Sequence, residues 1–452
     1  MSGLLVGACA TARPPAAVQP VPPPSVVDLA VLPISRDSVL SPSTVPAGPI
    51  SLGDAIALAM EHNPELQANA WARRAQDGRL RQAGAWPNPT IGLEVEDVDA
   101  TGALGRDDLG IVQPQRTVQL SQLVELGGER AARRGIARMD RDVAAWDEEL
   151  ARIDVLVGTT RAFVELLAAQ EEARLAAEIA AMAATLAEKV DDRIEAGDVS
   201  PIERTRATLA RTSAENAHRI ALQNVAARRD RLSGFWGSGE ATFERAEGDL
   251  NSVSPPPPLD SLTARLAASP ALARWTTIAA QRWQAVRLEQ ARRIPDVTLM
   301  GGIRRFSDLD GNTFIFGASL ALPLFDRNGG AIEEAEARVA ESLERQRAAA
   351  TAVTRGLREG HRTLDNAYRV ILMSRDTLVP GAEEALEAVG EGYRLGKFSY
   401  LDVLDVQRTL NEARAGYLRA LADYHISVAE LERLLGAPLH QSPTLDPSTS
   451  QE

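Results

Sequence analysis

One pattern runs through this chain twice. Gly53–Leu66, with Asn63-Pro64 near its end, returns in outline as Leu259–Leu272 with Ser269-Pro270. Pro64 and Pro89 recur as Pro270 and Pro295, each 206 residues later. Gly127-Gly128 recurs as Gly329-Gly330, and Arg231-Leu232-Ser233-Gly234 as Arg433-Leu434-Leu435-Gly436, each 202 later; Gly197 recurs as Gly396, 199 later. Five landmarks in one order, with spacings that drift by a few residues, mark a tandem duplication of a unit of roughly 200 residues. The chain must therefore fold as two versions of one supersecondary plan, and the question is what that plan builds.

Ala, Arg, Glu and Leu dominate and aromatic residues make up only 4% of the chain, the composition of long helices rather than of a sandwich or an α/β enzyme. A net charge of −13 disfavours a nucleic-acid partner. Acidic charge suits attraction of cations, but most of it reads as the solvated face of helices. No stretch approaches the ~20 apolar residues of a helical membrane span. Transmembrane β-barrels carry a weaker signal, about ten residues of alternation per strand. Cys9 is the only cysteine, so no intrachain disulfide forms. Leu5-Val6-Gly7-Ala8-Cys9 resembles the acylation signal of bacterial lipoproteins, which makes Cys9 the expected lipidation site; the alternative is a plain N-terminal thiol.

Residues 1–50 read as this lipobox-like start and a Pro-rich tether. The first repeat spans 51–250. Ser51 is placed to cap a helix over Leu52–His62, and a second helix covers about Glu65–Ala85 up to Trp86-Pro87-Asn88-Pro89. Period-two alternation then predicts strands at about 90–98 and 115–123, separated by a Gly- and Asp-rich stretch. From Glu129 to Ser200 there is no proline, and about seventy helical residues would span roughly 100 Å. Ala196-Gly197-Asp198-Val199-Ser200-Pro201 breaks that helix, and Pro201 starts another that runs to about Ser233. A Pro-rich linker at 251–258 leads to the second repeat, 259–440, with strands expected at about 296–306 and 313–322 and a helical hairpin turning at Gly396-Lys397-Phe398-Ser399. Pro380-Gly381 is expected to kink its descending arm. Residues 441–452 read as a disordered tail.

Two hairpins give four strands, and four strands cannot close a barrel. In lipid an open edge leaves unpaired backbone groups, each costing several kcal/mol, so such strands demand that several chains share one barrel. Long Ala-rich helices likewise suit packing against neighbours in a ring.

The helix–hairpin–helix unit in tandem, the closing Leu434-Leu435-Gly436, and the tip Tyr393-Arg394-Leu395-Gly396-Lys397-Phe398-Ser399-Tyr400-Leu401-Asp402-Val403-Leu404-Asp405-Val406-Gln407 resemble the TolC-like outer-membrane efflux proteins over about residues 51–440. Glu125-Leu126-Gly127-Gly128 after the second strand resembles the CzcC-like heavy-metal branch of that family. Leu123 stands where the family often has proline, which the second repeat keeps as Pro323. The resemblance implies a mainly α fold with a β-barrel: a homotrimer joining a long α-helical periplasmic barrel to a shared twelve-stranded barrel, four strands per chain, among outer-membrane lipids. It implies the exit duct of a tripartite efflux pump, with a periplasmic adaptor (membrane fusion) protein and an inner-membrane RND-type transporter as partners. It implies no cofactor, no resident metal and no enzymatic chemistry.

Asp402 and Asp405 lie three apart, on one helical face, and match the acidic pair of the family's periplasmic entrance. In a trimer they would form two carboxylate rings that select for cations. A capped, solvated helix start is the plainer reading of the same residues. The corresponding positions in the first repeat are Glu203 and Arg206, which makes Arg206 a candidate partner for a gate carboxylate. The tips Gly197, Asp198 and Ser200, and Gly396, Lys397 and Ser399, are the expected adaptor-docking points. Their glycines also serve the turn itself. The five histidines show no metal-ligand spacing. Phe306, Phe314, Phe316 and Trp86 are candidates for membrane-interface anchors or for plain strand packing.

The leading expectation is an efflux duct, for heavy-metal cations on the branch resemblance. Drug efflux or type I secretion through the same architecture is the near alternative. A coiled-coil scaffold without a pore is the distant one, and two period-two hairpins interrupting the helices at matched places speak against it.

Overall fold

The computed structural model describes residues 47–96, 115–195, 200–306 and 311–439. Cys9, Gly197, Asp198, His440 and both chain termini lie outside them. In chain order the elements are β1 (Ile50–Ser51), α1 (Leu52–His62), α2 (Pro64–Ala83), β2 (Thr90–Glu96), β3 (Gln115–Val124), α3 (Glu129–Glu195), α4 (Pro201–Ser233), β4 (Ala246–Glu247), α5 (Leu259–Arg265), α6 (Pro270–Ala291), β5 (Val297–Phe306), β6 (Asn312–Leu320), α7 (Gly329–Met373), α8 (Val379–Arg394) and α9 (Tyr400–Leu435). Ser51 caps α1 as expected, in a reciprocal box with Asp54. β6 stops at Leu320, two residues short of the expected end, and Leu324 N–H turns back onto the Leu322 carbonyl. Leu320 pairs with Val297, the first residue of β5, so the ladder ends where its partner strand begins.

The descending arm of the second helical hairpin meets Pro380 differently from a simple kink. Ser374–Leu378 form a π-turn between α7 and α8, and Val379 N–H reaches back five residues to Ser374 O. The wider turn makes room for a residue that lacks an N–H and whose ring would strike the carbonyl four residues back.

One of two compact units contains the sheet, together with residues 72–146 and 273–348 of the flanking helices. The strand order is β2-β3-β5-β6, antiparallel throughout, so β3 and β5 join the two hairpins. Register sets Leu93, Val118, Ile303 and Phe314 in one row and Ile91, Leu120, Gly301 and Phe316 in the next. These side chains face outward unburied: Phe314 is 69% exposed and Phe316 83%. The opposite face carries the row Glu94, Thr117, Arg304 and Thr313, where Arg304 Nε donates to Thr117 Oγ1 at 3.0 Å and its Nη2 lies 3.4 Å from Glu96. A slip of one residue would exchange the faces, so the alternation fixes the register. Among the described residues, β2 and β6 each have one unpaired edge. At the helix end of the sheet, Gly127 passes so close to Ala291 O that a Cβ there would lie 2.1 Å away. Beside it Arg133 pairs with Glu125, and Trp146, fully buried, donates its indole N–H to Thr277.

The other unit holds the largest core, built from Phe163, Leu166, Leu232, Trp236, Phe243, Leu262, Leu357, Leu364, Tyr424 and Leu431 among others. The same stitch closes both repeats: Asn63 Nδ2 donates to Phe235 O and Ser269 Oγ to Leu434 O, both at 2.8 Å. The segment between repeats is fastened to α7 and α9 by side chains. Tyr424 Oη accepts from Ser254 N–H at 2.9 Å and donates to Ser254 O at 2.8 Å; Tyr417 Oη donates to Asn251. His425 meets Leu250 O at 2.8 Å and His361 meets Pro257 O at 2.9 Å. Burial pushes the His425 imidazole down, so the ring is neutral and its Nε2–H donates. Two of the five histidines therefore serve as backbone clamps.

Candidate functional site

Within this second unit the ends of four long helices meet. Ala187 and Val190 of α3, Ala207 of α4, Tyr393 of α8, and Tyr400 and Val403 of α9 form a small buried cluster. Short residues on α3 and α4 leave room for two tyrosine rings, 6.3 Å apart between centroids. Arg193 of α3 stacks its guanidinium 4.7 Å over the Tyr393 ring and donates to Tyr393 O at 3.3 Å. Asp191 of α3 pairs with Arg204 of α4 at 2.7 Å.

The second tip turns through Gly396, whose φ of +73° is the left-handed conformation that glycine adopts without penalty. Gly396 N–H reaches Tyr393 O at 3.1 Å and Lys397 N–H reaches Gly392 O at 2.8 Å. This pair of bonds is the Schellman ending of a helix. The Phe398 ring lies against Gly392, where an added Cβ would stand 2.1 Å from it. Ser399 then caps α9. Its Oγ accepts Asp402 N–H, while the Asp402 carboxylate accepts from both the Ser399 N–H and Oγ–H at 2.8 Å. Those hydrogen bonds from Ser399 hold the Asp402 carboxyl below its ordinary value.

The predicted residues separate. Asp402 is spent on the cap yet exposed. Asp405, one turn on, has a side chain 75% exposed, with Arg408 4.0 Å away. Glu203 occupies the position in α4 that Asp402 holds in α9, but makes no capping box: Ser200 gives no side-chain cap and its carbonyl accepts Glu203 N–H at 2.9 Å. Glu203 instead turns inward. Its Oε2 is buried and without a hydrogen-bond partner among the described residues, as is the Tyr393 hydroxyl. Burial pushes both phenols up, and the charge of Glu203 adds to it. Arg206 is exposed and pairs with no carboxylate among the described residues. Ser200, Gly396, Lys397 and Ser399 stand at the tips as expected. Sequence reading missed Arg193, Tyr393 and Tyr400 as members of this cluster. The spacing of the two tyrosines, seven apart across the turn, was the available signal; nothing in the sequence singles out Arg193.

Among the described residues no three His, Cys, Asp or Glu side chains are placed to hold a metal ion, and no helix is long and apolar enough to cross a membrane. Among the described residues, the sheet carries Ile91, Leu93, Phe314 and Phe316 exposed on its apolar face.

The family model described as outer membrane efflux protein matches residues 55–238 and 263–437, one segment per repeat. The cobalt-zinc-cadmium resistance protein CzcC of Cupriavidus metallidurans is 31% identical over 390 residues, 86% of this chain and 91% of that protein. The nickel-cobalt-cadmium resistance protein NccC of Alcaligenes xylosoxydans is 28% identical over 280 residues, 61% of this chain and 62% of that one. The crystal structure of the outer membrane protein VceC from Vibrio cholerae superposes with a TM-score of 0.73 at 20% identity, covering 86% of this chain and 97% of that one, a likeness of fold. A duplicated helix–hairpin–helix chain with this sheet and these matches belongs to the outer membrane efflux protein family, alongside the CzcC-like heavy-metal resistance proteins.

Proposed function

We propose that this chain is the exit duct of a tripartite efflux pump for heavy-metal cations, working as a homotrimer in the outer membrane. The observation that carries the reading is the sheet: apolar and exposed on one face, polar on the other, and among the described residues unpaired at the outer edges of β2 and β6. β2 and β5 run one way and β3 and β6 the other, so β6 of one copy meets β2 of the next antiparallel. Three copies close twelve strands, within the known range of such barrels, with lipid outside and a polar lumen inside. The helices continue the duct into the periplasm, where the tips dock an adaptor that joins an RND-type transporter. Cys9 carries the lipid anchor. The duct catalyses no reaction.

At the helix tips, Asp405 supplies the selectivity ring, since its carboxylate is free of the cap that engages Asp402. Arg193, stacked over the Tyr393 ring and bonded to its carbonyl, holds Tyr393 in place at the second tip. Arg206 faces a neighbouring copy. Support for metal cargo comes from the named roles of the relatives and from the acidic entrance.

Two measurements test the proposal. Purified protein in a planar bilayer should give discrete, cation-selective conductance, read from reversal potentials. Expression in a metal-sensitive host that lacks its own duct but keeps the cognate transporter and adaptor should restore growth on zinc, cobalt or cadmium. Protein that stays soluble without detergent refutes the duct; inserted, conducting protein that restores no metal tolerance refutes the cargo.

A further inference from the structure

A junction that the fold requires occurs in both repeats, and a feature found in one repeat alone needs another cause. Where α2 ends and α3 begins, at the helix end of the sheet, two adjoining cavities of about 320 and 370 Å³ open on the surface. Arg130 and Arg134 of α3 line both; the first adds Arg81 and Gly84, the second Trp86 and Glu125.

Three guanidinium groups thus line one recess. The Glu125 carboxylate does not neutralise them, because Arg133 takes both of its oxygens, the second at 3.1 Å, and its side chain is only 6% exposed. Arg81 and Arg134 are exposed and pair with no carboxylate among the described residues. Arg130 is aimed by its surroundings. Its Nε donates to Gly84 O at 2.8 Å, and its guanidinium lies 4.4 Å from the centre of the Trp86 ring. Both of its Nη groups remain without a partner among the described residues. Further along α3 the pattern differs: Arg141 pairs with Asp142 and Arg152 with Glu148.

The second repeat builds the same junction without these groups. At a spacing of 202 it places Ile332 and Glu336 where α3 has Arg130 and Arg134, and at 206 it places Arg292 where Trp86 stands. Arg292 pairs with Glu289. The turn from strand to helix therefore does not require the arginines.

Their chemistry suits phosphate, whose oxygens a guanidinium fork binds in pairs. Their place suits a lipid. Trp86 is 61% exposed and stands four residues before β2, and tryptophan collects where headgroups meet hydrocarbon. Arg130 and Arg134 lie in the first two turns of α3, within about 8 Å of its start. A headgroup layer is about 5–7 Å thick. The start of α3 adds the positive end of its dipole.

We propose that Arg81, Arg130 and Arg134, with Trp86 at their rim, form a site for the phosphate headgroup of an anionic phospholipid at the periplasmic face of the outer membrane. The proposal rests on the reading of the sheet as part of a membrane-inserted barrel, and it adds one lipid bound at a defined point of each copy. The lipid phosphate bridges the end of α2 to the start of α3 beneath the strands.

The test uses the full chain, extracted in mild detergent and titrated with phosphatidylglycerol or phosphatidylcholine, with bound lipid counted by native mass spectrometry. The wild type should hold phosphatidylglycerol about tenfold more tightly than phosphatidylcholine. Arg130→Gln with Arg134→Gln should weaken phosphatidylglycerol about tenfold or more. Arg130→Ile with Arg134→Glu installs the residues that the second repeat already carries at this junction, and should weaken it further. Arg355→Gln with Arg358→Gln, two exposed arginines of α7, removes the same charge outside the cavities and should leave binding within about twofold. Inorganic phosphate at the concentration of the lipid should not displace it; displacement would reassign the recess to a free anion and overturn the lipid. Equal retention of the two lipids, or undiminished phosphatidylglycerol in both Arg130/Arg134 variants, overturns the site. Either result in a protein that inserts and conducts leaves the duct standing, whereas protein that stays soluble without detergent overturns both.

Discussion

Glu432 gives the sharpest quantitative expectation. It lies near the end of α9 and is 2% exposed. One carboxylate oxygen accepts Leu439 N–H at 2.8 Å, and the other has no partner among the described residues. Arg265 of α5, the charged group that faces it, is turned to the backbone of the same segment: it donates to Leu439 O at 3.0 Å and to Pro438 O. Burial pushes the Glu432 carboxyl from 4.5 up to about 7. A difference of about 2.5 pH units is worth about 3 kcal/mol. The folded value lies above the free one, so the stabilisation is complete below pH 4.5 and is lost as pH rises through about 7. If opening of residues 436–439 releases this carboxyl to water, the opening equilibrium should rise roughly 70-fold from pH 5 to pH 8 and flatten beyond. Hydrogen exchange of the Leu439 amide, corrected for intrinsic base catalysis, reads it directly. Glu432→Gln keeps the shape and an acceptor and removes the titration, so its corrected exchange should not vary with pH. A wild-type opening that grows on acidification, or a glutamine variant with the wild-type slope, refutes the reasoning.

Three further expectations follow from named contacts. Gly392→Ala should disorder the second tip, because its Cβ meets the Phe398 ring; Phe398→Ala in the same chain should restore protection of the Lys397 amide in hydrogen exchange. Asp405→Asn should lower cation over anion selectivity in single-channel recordings more than Ser399→Ala does, since the latter removes only a helix cap worth about 1 kcal/mol. Trp146→Ala should cost about 3 to 5 kcal/mol and leave Thr277 without its donor, read as a large fall in thermal stability of the detergent-extracted protein; Trp146→Phe should cost less.

Much of the fold was legible in the residues. Alternation over Thr90–Glu96 and Thr313–Leu320 named strands and their apolar faces, because a pleated strand sends successive side chains to opposite sides. Ser51 as a cap, and Pro201 at a first helical position, marked helix starts. Less was legible at the tips. Asp402 and Glu203 hold matching repeat positions, yet one carboxylate caps its own helix and the other is buried beside two tyrosines. Nothing local distinguishes them. The difference comes from which neighbours each helix end meets, and Arg193 enters the cluster from 200 residues before Tyr393.

The sequence by itself determined the duplication, the kinds of element, and the demand that a four-stranded sheet with one apolar face find partners, since these follow from periodicity and from backbone hydrogen bonds that must be met. Tertiary structure alone decided the rest. It joined β3 to β5, set His425 and Tyr424 to clamp the segment between repeats, and buried Glu432. Each of these depends on groups far apart in the chain, whose energies change with distance and with the exclusion of water, and local pattern carries neither quantity.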